Sequence, residues 1–224
     1  ALPLDRMISG PLQAMIAESR PHLFAESMAF VSAAHVQQMA DLIAAPHRVV
    51  ALPGWQDAVL AHAPESARHV TGASGVFLGY DFHLSDAGPQ LIEINTNAGG
   101  ALLALALTRA QRACCDAAQA WLHPATDIAP LEARWLAMFA QEWTLQRPDA
   151  PFIPTQGPAR TLAIVDEAPA SQYLYPEFLL CQDMLRRAGV DARIVDPQAL
   201  AWADGQLQHQ GQRIDMVYLR LTDF

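Results

Sequence analysis

The sequence predicts a mixed α/β protein in which helices come first, an antiparallel hairpin follows, and a second α/β region closes the chain. Three observations predict it. Apolar residues recur at helical spacing from Leu4 to about Ala45. Period-two alternation then surrounds the turn signal Ser85-Asp86-Ala87-Gly88. Beyond a cluster of prolines, strand and helix patterns alternate in the manner of a βαβ unit.

In the first region Met28, Val31, Ala34, Val36, Met39, Leu42 and Ile43 form the helical stripe, and Pro11, Pro21 and Pro46 punctuate it. The stripe implies helices packed on something larger. From Gly75, the residues Val76, Leu78, Phe82 and Leu84 lead to the turn, and Leu91, Ile92 and Ile94 follow it, which is a β-hairpin. After Gly99-Gly100 an Ala/Leu-rich helix runs to about Trp121, and a further helix spans about Leu131 to Gln146.

Pro148, Pro151, Pro154, Gly157 and Pro158 then suit a linker, so the expected domains are residues 1–150 and 160–224. Thr161 to Val165 reads as a buried strand, Pro176 to Ala188 as a helix stopped by Gly189, and Ala192 to Val195 as the next strand. Asp204-Gly205 marks a turn, and Ile214 to Leu219 is a last strand that reaches Arg220.

Composition excludes several classes. The chain has 224 residues, 52% of them hydrophobic, enough to fill a core, and no apolar run of membrane-spanning length. With no secretory leader pattern at the N-terminus, a cytoplasmic protein is expected, without a membrane partner. A net charge of -9 and the lack of a basic stripe argue against nucleic acid. All 14 basic residues are Arg, so no Lys is present as a mobile charge for phosphates. Cys114, Cys115 and Cys181 have no metal or redox spacing and read as buried, reduced thiols. The eight His include no helical ligand pair, which speaks against zinc, and no serine or cysteine sits in a nucleophile motif.

The hairpin holds the candidate chemistry. Side chains two apart on a strand share a face, so Glu93 and Asn95 project together while Ile92 and Ile94 are expected to cover the core. A three-residue loop, Asp86-Ala87-Gly88, would pair Ser85 with Pro89 and bring Asp81 opposite Glu93. Asp81, Glu93 and Asn95 then offer three oxygen donors on one face, as a hard divalent cation such as Mg²⁺ requires. Alternation alone favours an amphipathic hairpin whose polar face is simply wet. The run Asn97-Ala98-Gly99-Gly100 before a helix could bring backbone amides to an anionic group, so Asn97, Gly99 and Gly100 are candidate substrate-binding residues. His83 shares the Asp81 face and reads as a solvated side chain at its edge.

The stretch Gln90 to Leu103, centred on Glu93-Ile94-Asn95-Thr96, resembles a segment of eukaryotic-type glutathione synthetase and is similar to the Glu-x-Asn segment of glutathionylspermidine synthase. Asp204 to Leu207 followed by Ile214 to Arg220 resembles the substrate-domain strand of the same circularly permuted ATP-grasp superfamily. The resemblance implies part of an ATP-grasp fold with a helical N-terminus over 1–150, and a substrate domain over 160–224 that continues into an ATP-grasp portion beyond this sequence. It also implies ATP and Mg²⁺ as cofactors, with Asp81, Glu93 and Asn95 as metal ligands. Arg220, which by position alone is an ordinary surface residue, would contact substrate in a cleft shared with the hairpin.

The expected activity is an ATP-dependent carboxylate–amine ligase that acts on a peptide-like or amino-acid substrate through an acyl phosphate. Its partners would be small carboxylate and amine substrates, and no side-chain nucleophile is needed. Three departures stand out: Gly79 replaces the family's Arg, and Ala98 and Gly100 replace hydroxyl residues. They favour the alternative of a non-catalytic nucleotide- or peptide-binding protein with a degenerate ATP-grasp site. The oligomeric state is not encoded in any of these features.

Overall fold

The structure, a computed structural model, describes residues 8, 10–25, 27, 29–114 and 130–221. It is mixed α/β. The first elements are α1 (Gly10–Ser19), α2 (Ala33–Val50), α3 (Pro53–Leu60), β1 (Gly79–Ser85), β2 (Gly88–Asn95), α4 (Ala101–Cys114) and α5 (Leu131–Gln146). Then come β3 (Thr161–Val165), α6 (Tyr175–Arg187), β4 (Asp191–Val195), β5 (Leu200–Ala203), β6 (Gln206–His209), β7 (Gln212–Arg213) and β8 (Met216–Leu219). Two compact units result, one made of Ala1–Met28 with Gly99–Phe224, the other of Ala29–Ala98. Among the described residues no helix is long and apolar enough to cross a membrane.

The larger unit is built on a three-stranded parallel sheet in the order β4-β3-β8. Thr161-Leu162-Ala163-Ile164-Val165 is buried at every position, as expected of a central parallel strand covered on both faces. Ala163 and Val165 project from one face with Val195 and Ile214, where Leu200 and Leu207 of the β5–β6 hairpin pack on them. Ile164, on the other face, is paired with Tyr218, whose ring meets Phe139 of α5 edge-on at 5.3 Å. Tyr218's hydroxyl is held well above its ordinary range by burial. The βαβ unit and the final strand agree with the sequence pattern, and Asp204 and Gly205 both take positive φ (53° and 71°), as the Asp-Gly turn requires.

Helices complete this unit. Ile8 together with Leu12 and Ile16 of α1 packs on Ala106 of α4, with Leu179 and Leu180 of α6 alongside. Arg20, just after α1, is buried and donates from Nε to Tyr173 O at 2.8 Å and from Nη2 to Gln172 O at 2.6 Å. It thereby fixes the loop between β3 and α6. Glu132 of α5 accepts from Arg109 of α4 at 2.7 Å and Arg187 of α6 at 3.0 Å, tying three helices together. Burial alone would raise the Glu132 carboxyl, but the two guanidiniums outweigh it and hold it below its usual range.

The proline-rich stretch 148–158 lies inside this unit. Trp143 of α5 explains why: its indole N–H donates to Ala150 O at 2.6 Å, its ring contacts Phe152, and the Arg160 guanidinium stands over it at 5.0 Å. The prolines therefore shape a loop folded back on α5, and the two units divide at other positions. Cys181 is a buried free thiol, pushed up to about 12 chiefly by burial. Cys115, Trp121 and the expected C-terminal reach of the helix beyond Cys114 lie outside the described residues.

The smaller unit holds α2, α3 and the β1–β2 hairpin, with α2 against β2. Ser32 caps α2 by accepting from His35 N at 3.1 Å. The helix runs through Pro46 to Val50, whereas the sequence marks Pro46 as a break. Leu42, whose carbonyl loses its donor there, is 38% exposed, so water can take its place. No large hydrophobic side chain between Ala29 and Ala98 is buried, while Phe30, Val36, Leu52, Val70 and Ile92 are each more than half exposed. A unit with so little interior cannot offset its chain entropy. Residues 29–98 expressed alone are therefore expected to give no cooperative thermal transition by circular dichroism, and a sharp sigmoidal melt would contradict this.

Candidate functional site

The hairpin turn is one residue shorter than the sequence suggests. Ser85 pairs with Gly88, not Pro89, across the two-residue turn Asp86-Ala87, and Gly88 takes φ +99°. A β-bulge between Asp81 and Phe82 then restores the count: Phe82 pairs with Leu91, Asp81 with Glu93, and Ile92 is the extra residue. Asp81 and Glu93 consequently stand directly opposite each other. Ile92 and Ile94, expected in the core, are 69% and 42% exposed. The reason is physical: the bulge releases Ile92 from the ladder, and a two-stranded sheet with one neighbouring helix has too little to cover both faces.

Asn95 lies two residues beyond Glu93 on the same face, opposite Gly79. Its Nδ2 donates to Asp81 Oδ2 at 3.4 Å. The amide's oxygen and nitrogen are interchangeable by a half-turn of the side chain, so the same placement can present Oδ1 beside the Asp81 carboxylate. Asp81 and Glu93 are exposed and Asn95 half-buried. Like charges directly across a strand pair repel, and here no described cation is paired with either. Two carboxylates and an amide oxygen converging on one face suit a hard divalent cation with water or phosphate filling its remaining positions. Among the described residues no three of His, Cys, Asp and Glu converge as metal ligands, so His83 does not extend this set.

Gly79 is explained by local packing. A Cβ there would lie 2.9 Å from Ala98 Cβ and 3.4 Å from Asn95 Cβ. The chain after β2 folds back here, with Ala98 N donating to Phe77 O at 3.2 Å, so a side chain at position 79 has no room. On the outer side of this strand Tyr80 hydrogen-bonds through its hydroxyl to the His47 ring of α2.

Gly99, Gly100 and Arg220 belong to the larger unit. Arg220 follows β8, its N–H donating to Val165 O at 2.8 Å, and is 5% exposed, so it is no ordinary surface residue. Its Nη1 donates to Tyr218 Oη at 3.3 Å. A Cβ on Gly99 would come within 2.8 Å of Arg220 Nη2 and 2.7 Å of Leu174 Cδ1, which is why glycine stands there. Asp166 and Arg220 close adjacent parallel strands at the point where the strand order reverses. Asn97, partly buried, sits on the segment that leads from β2 into Gly99.

The amides following Gly99 already have a partner, one the sequence does not announce. Glu177 of α6, 5% exposed, accepts from Leu102 N at 3.1 Å and Leu103 N at 3.0 Å, and also from Gly100 N. It thus caps α4 from another helix 75 residues away in sequence. In the sequence Glu177 reads only as an acid favourable in the first turn of its own helix. Burial raises its carboxyl above the ordinary range, against the opposing pull of these amides and of the Arg220 charge.

Comparison with family models, with curated proteins and with solved structures found no match to this chain.

Glu177→Gln leaves one acceptor oxygen and turns an NH₂ toward a backbone N–H, so it is expected to destabilise the protein by about 1–3 kcal/mol. A folded-state pKa raised above the unfolded value contributes stability below the unfolded value and loses it as pH rises through the folded one. Urea unfolding from pH 4 to pH 8 should therefore show the wild-type advantage over Glu177→Gln shrinking as pH rises. A gap that widened with pH would reverse the assigned direction.

Proposed function

We propose that the hairpin face of Asp81, Glu93 and Asn95 is the metal site of an ATP-dependent carboxylate–amine ligase of the ATP-grasp type, acting on a peptide-like or amino-acid substrate. The observation that carries the reading is the unneutralised Asp81–Glu93 pair, with the Asn95 amide at 3.4 Å from Asp81. Hard oxygen donors of this kind fit Mg²⁺, which when bound would neutralise charge on the transferring phosphoryl group. Asp81 and Glu93 would hold the cation from opposite strands, and Asn95 would complete the face from the end of β2. The Asp81–Glu93 pairing and the Asn95–Asp81 hydrogen bond already hold those donors on one face.

In the same reading Arg220 recognises the acid substrate. Its planar guanidinium matches a carboxylate in a bidentate fashion, which an ammonium cannot do. The chain supplies no serine or cysteine in a nucleophile setting, in keeping with a route through an acyl phosphate. The missing side chain at Gly79 favours a second reading, in which the protein binds nucleotide without turnover: the contact with Ala98 leaves no space for a cationic side chain beside Asn95.

Titration calorimetry with ATP, with and without Mg²⁺, separates these readings when coupled to a phosphate-release assay using candidate acids and amines. Metal-dependent binding with turnover supports the ligase, metal-dependent binding alone the binding protein, and no metal-dependent binding removes both. Glu93→Gln is expected to abolish turnover with little change in melting temperature, because it deletes an anionic ligand at an exposed position. Unchanged turnover would take Glu93 out of the metal's coordination shell. Arg220→Lys is expected to raise KM for the acid several-fold more than KM for ATP, and equal effects would mark a general folding defect.

A further inference from the structure

The β5–β6 hairpin lays one face against the parallel sheet, and its packing stops short of Trp202. Leu200, Trp202 and Leu207 share that face, because the first two lie two residues apart on β5 and Trp202 is paired with Leu207. Leu200 and Leu207 pack on Ala163, Val165, Val195 and Ile214, whereas Trp202 is 74% exposed. Val217 of β8, paired with Ala163 and so on the same side of the sheet, is exposed as well. A large aromatic ring on the inward side of a hairpin is thus left uncovered.

Trp202, Leu207 and Val217 border a cavity of about 440 Å³, the size of a small-ligand pocket. Arg147, Gln206, Arg213 and Asp215 supply its polar walls. Most of these are held by the fold. Asp215 accepts from Thr161 N through Oδ2 and from Arg213 Nε through Oδ1, each at 3.0 Å, and the Arg147 guanidinium rests over the Trp143 ring at 5.5 Å. The charges narrow the ligand class. Arg213 is neutralised by Asp215, and the one remaining guanidinium, on an exposed residue, would hold a bare anion only weakly. A cation would meet two guanidiniums.

Guanidiniums only donate hydrogen bonds, a carboxylate only accepts them, and a side-chain amide does both. A neutral ligand rich in hydroxyl groups matches that set, since each hydroxyl donates and accepts. It must also bring an apolar face to the Trp202 ring. A pyranose has both, with hydroxyl groups around its rim and a face of C–H groups that lies flat on the negative face of an aromatic ring. We propose that this cavity binds a neutral sugar, its pyranose ring stacked on Trp202 and its hydroxyl groups hydrogen-bonded to Arg147, Gln206 and the Arg213–Asp215 pair. The inference is independent of the metal-site reading, since its test uses neither magnesium nor nucleotide.

The test follows the Trp202 indole N–H by NMR, assigned through Trp202→Leu, while the full chain is titrated with the methyl glycosides of glucose, galactose and N-acetylglucosamine, and separately with indole. A saturable shift with at least one glycoside, in the millimolar range or tighter, is the expected result. Followed through the Leu207 and Val217 methyl signals, Trp202→Leu is expected to weaken that binding about fivefold or more, because it keeps apolar bulk and removes the aromatic face, while Trp202→Phe retains part of it. Melting temperatures of the variants within a few degrees of wild type confirm that the fold persists. No saturable shift with any of the glycosides, saturation by indole alone, or an unchanged affinity in Trp202→Leu overturns the proposal.

Discussion

A helix that starts Gly100-Ala101-Leu102-Leu103 brings unpaired N–H groups into surroundings of Leu, Ala and Phe, and nothing in its own first turn accepts them. The Glu177 carboxylate meets that demand from α6, and much of the larger unit follows from it. Because α4 ends on α6, Leu102, Leu103 and Leu105 can be buried against their neighbours without leaving amide donors unsatisfied. Because the Glu177 carboxyl lies in a dry place, which raises its pKa, the nearby guanidinium of Arg220 opposes that shift, and Gly99 has to be glycine to admit that guanidinium. A buried charge on α6 thereby dictates residue type at the end of the hairpin segment.

The same geometry changes the meaning of the glycine pair. Read in the sequence, small residues before a helix suggest amides waiting for an anionic ligand. In the fold the anion is a side chain of the protein itself. Any ligand recognised through Gly99 or Gly100 would have to compete with Glu177, or use Arg220 and leave the amides alone. Under the proposed reading recognition therefore falls to Arg220 and not to the helix terminus, and both belong to one connected charge arrangement.

Legibility divides along the range of the interactions. The β3, α6 and β8 segments were readable because short apolar runs, a Pro near a helix start and a Gly past its end are local signals. The Asp81–Glu93 pairing was also reached, although through a different count, since a shorter turn and a bulge cancel. Bulges leave almost no trace in alternation, so Ile92 and Ile94 could not be assigned to the open side in advance. The proline cluster misled because its packing depends on Trp143, Phe152 and Arg160 meeting in space. Glu177 was invisible for the same reason, its partners being 75 positions away.

Charge sets a final constraint on what the hairpin can do. Between Ala29 and Ala98 the sequence has six carboxylates (Asp41, Asp57, Glu65, Asp81, Asp86, Glu93) against two guanidiniums (Arg48, Arg68). The Arg68 guanidinium is turned to the Leu60 carbonyl at 2.6 Å. A polyphosphate approaching Asp81 and Glu93 would therefore meet repulsion from the surface that is supposed to hold it. Only a multivalent cation reverses that sign, because it is attracted by the two carboxylates and in turn attracts the phosphates. Under the proposed reading metal and nucleotide at the hairpin would therefore be inseparable ligands: the pair of acids that repels a bare anion would accept one that arrives with its metal.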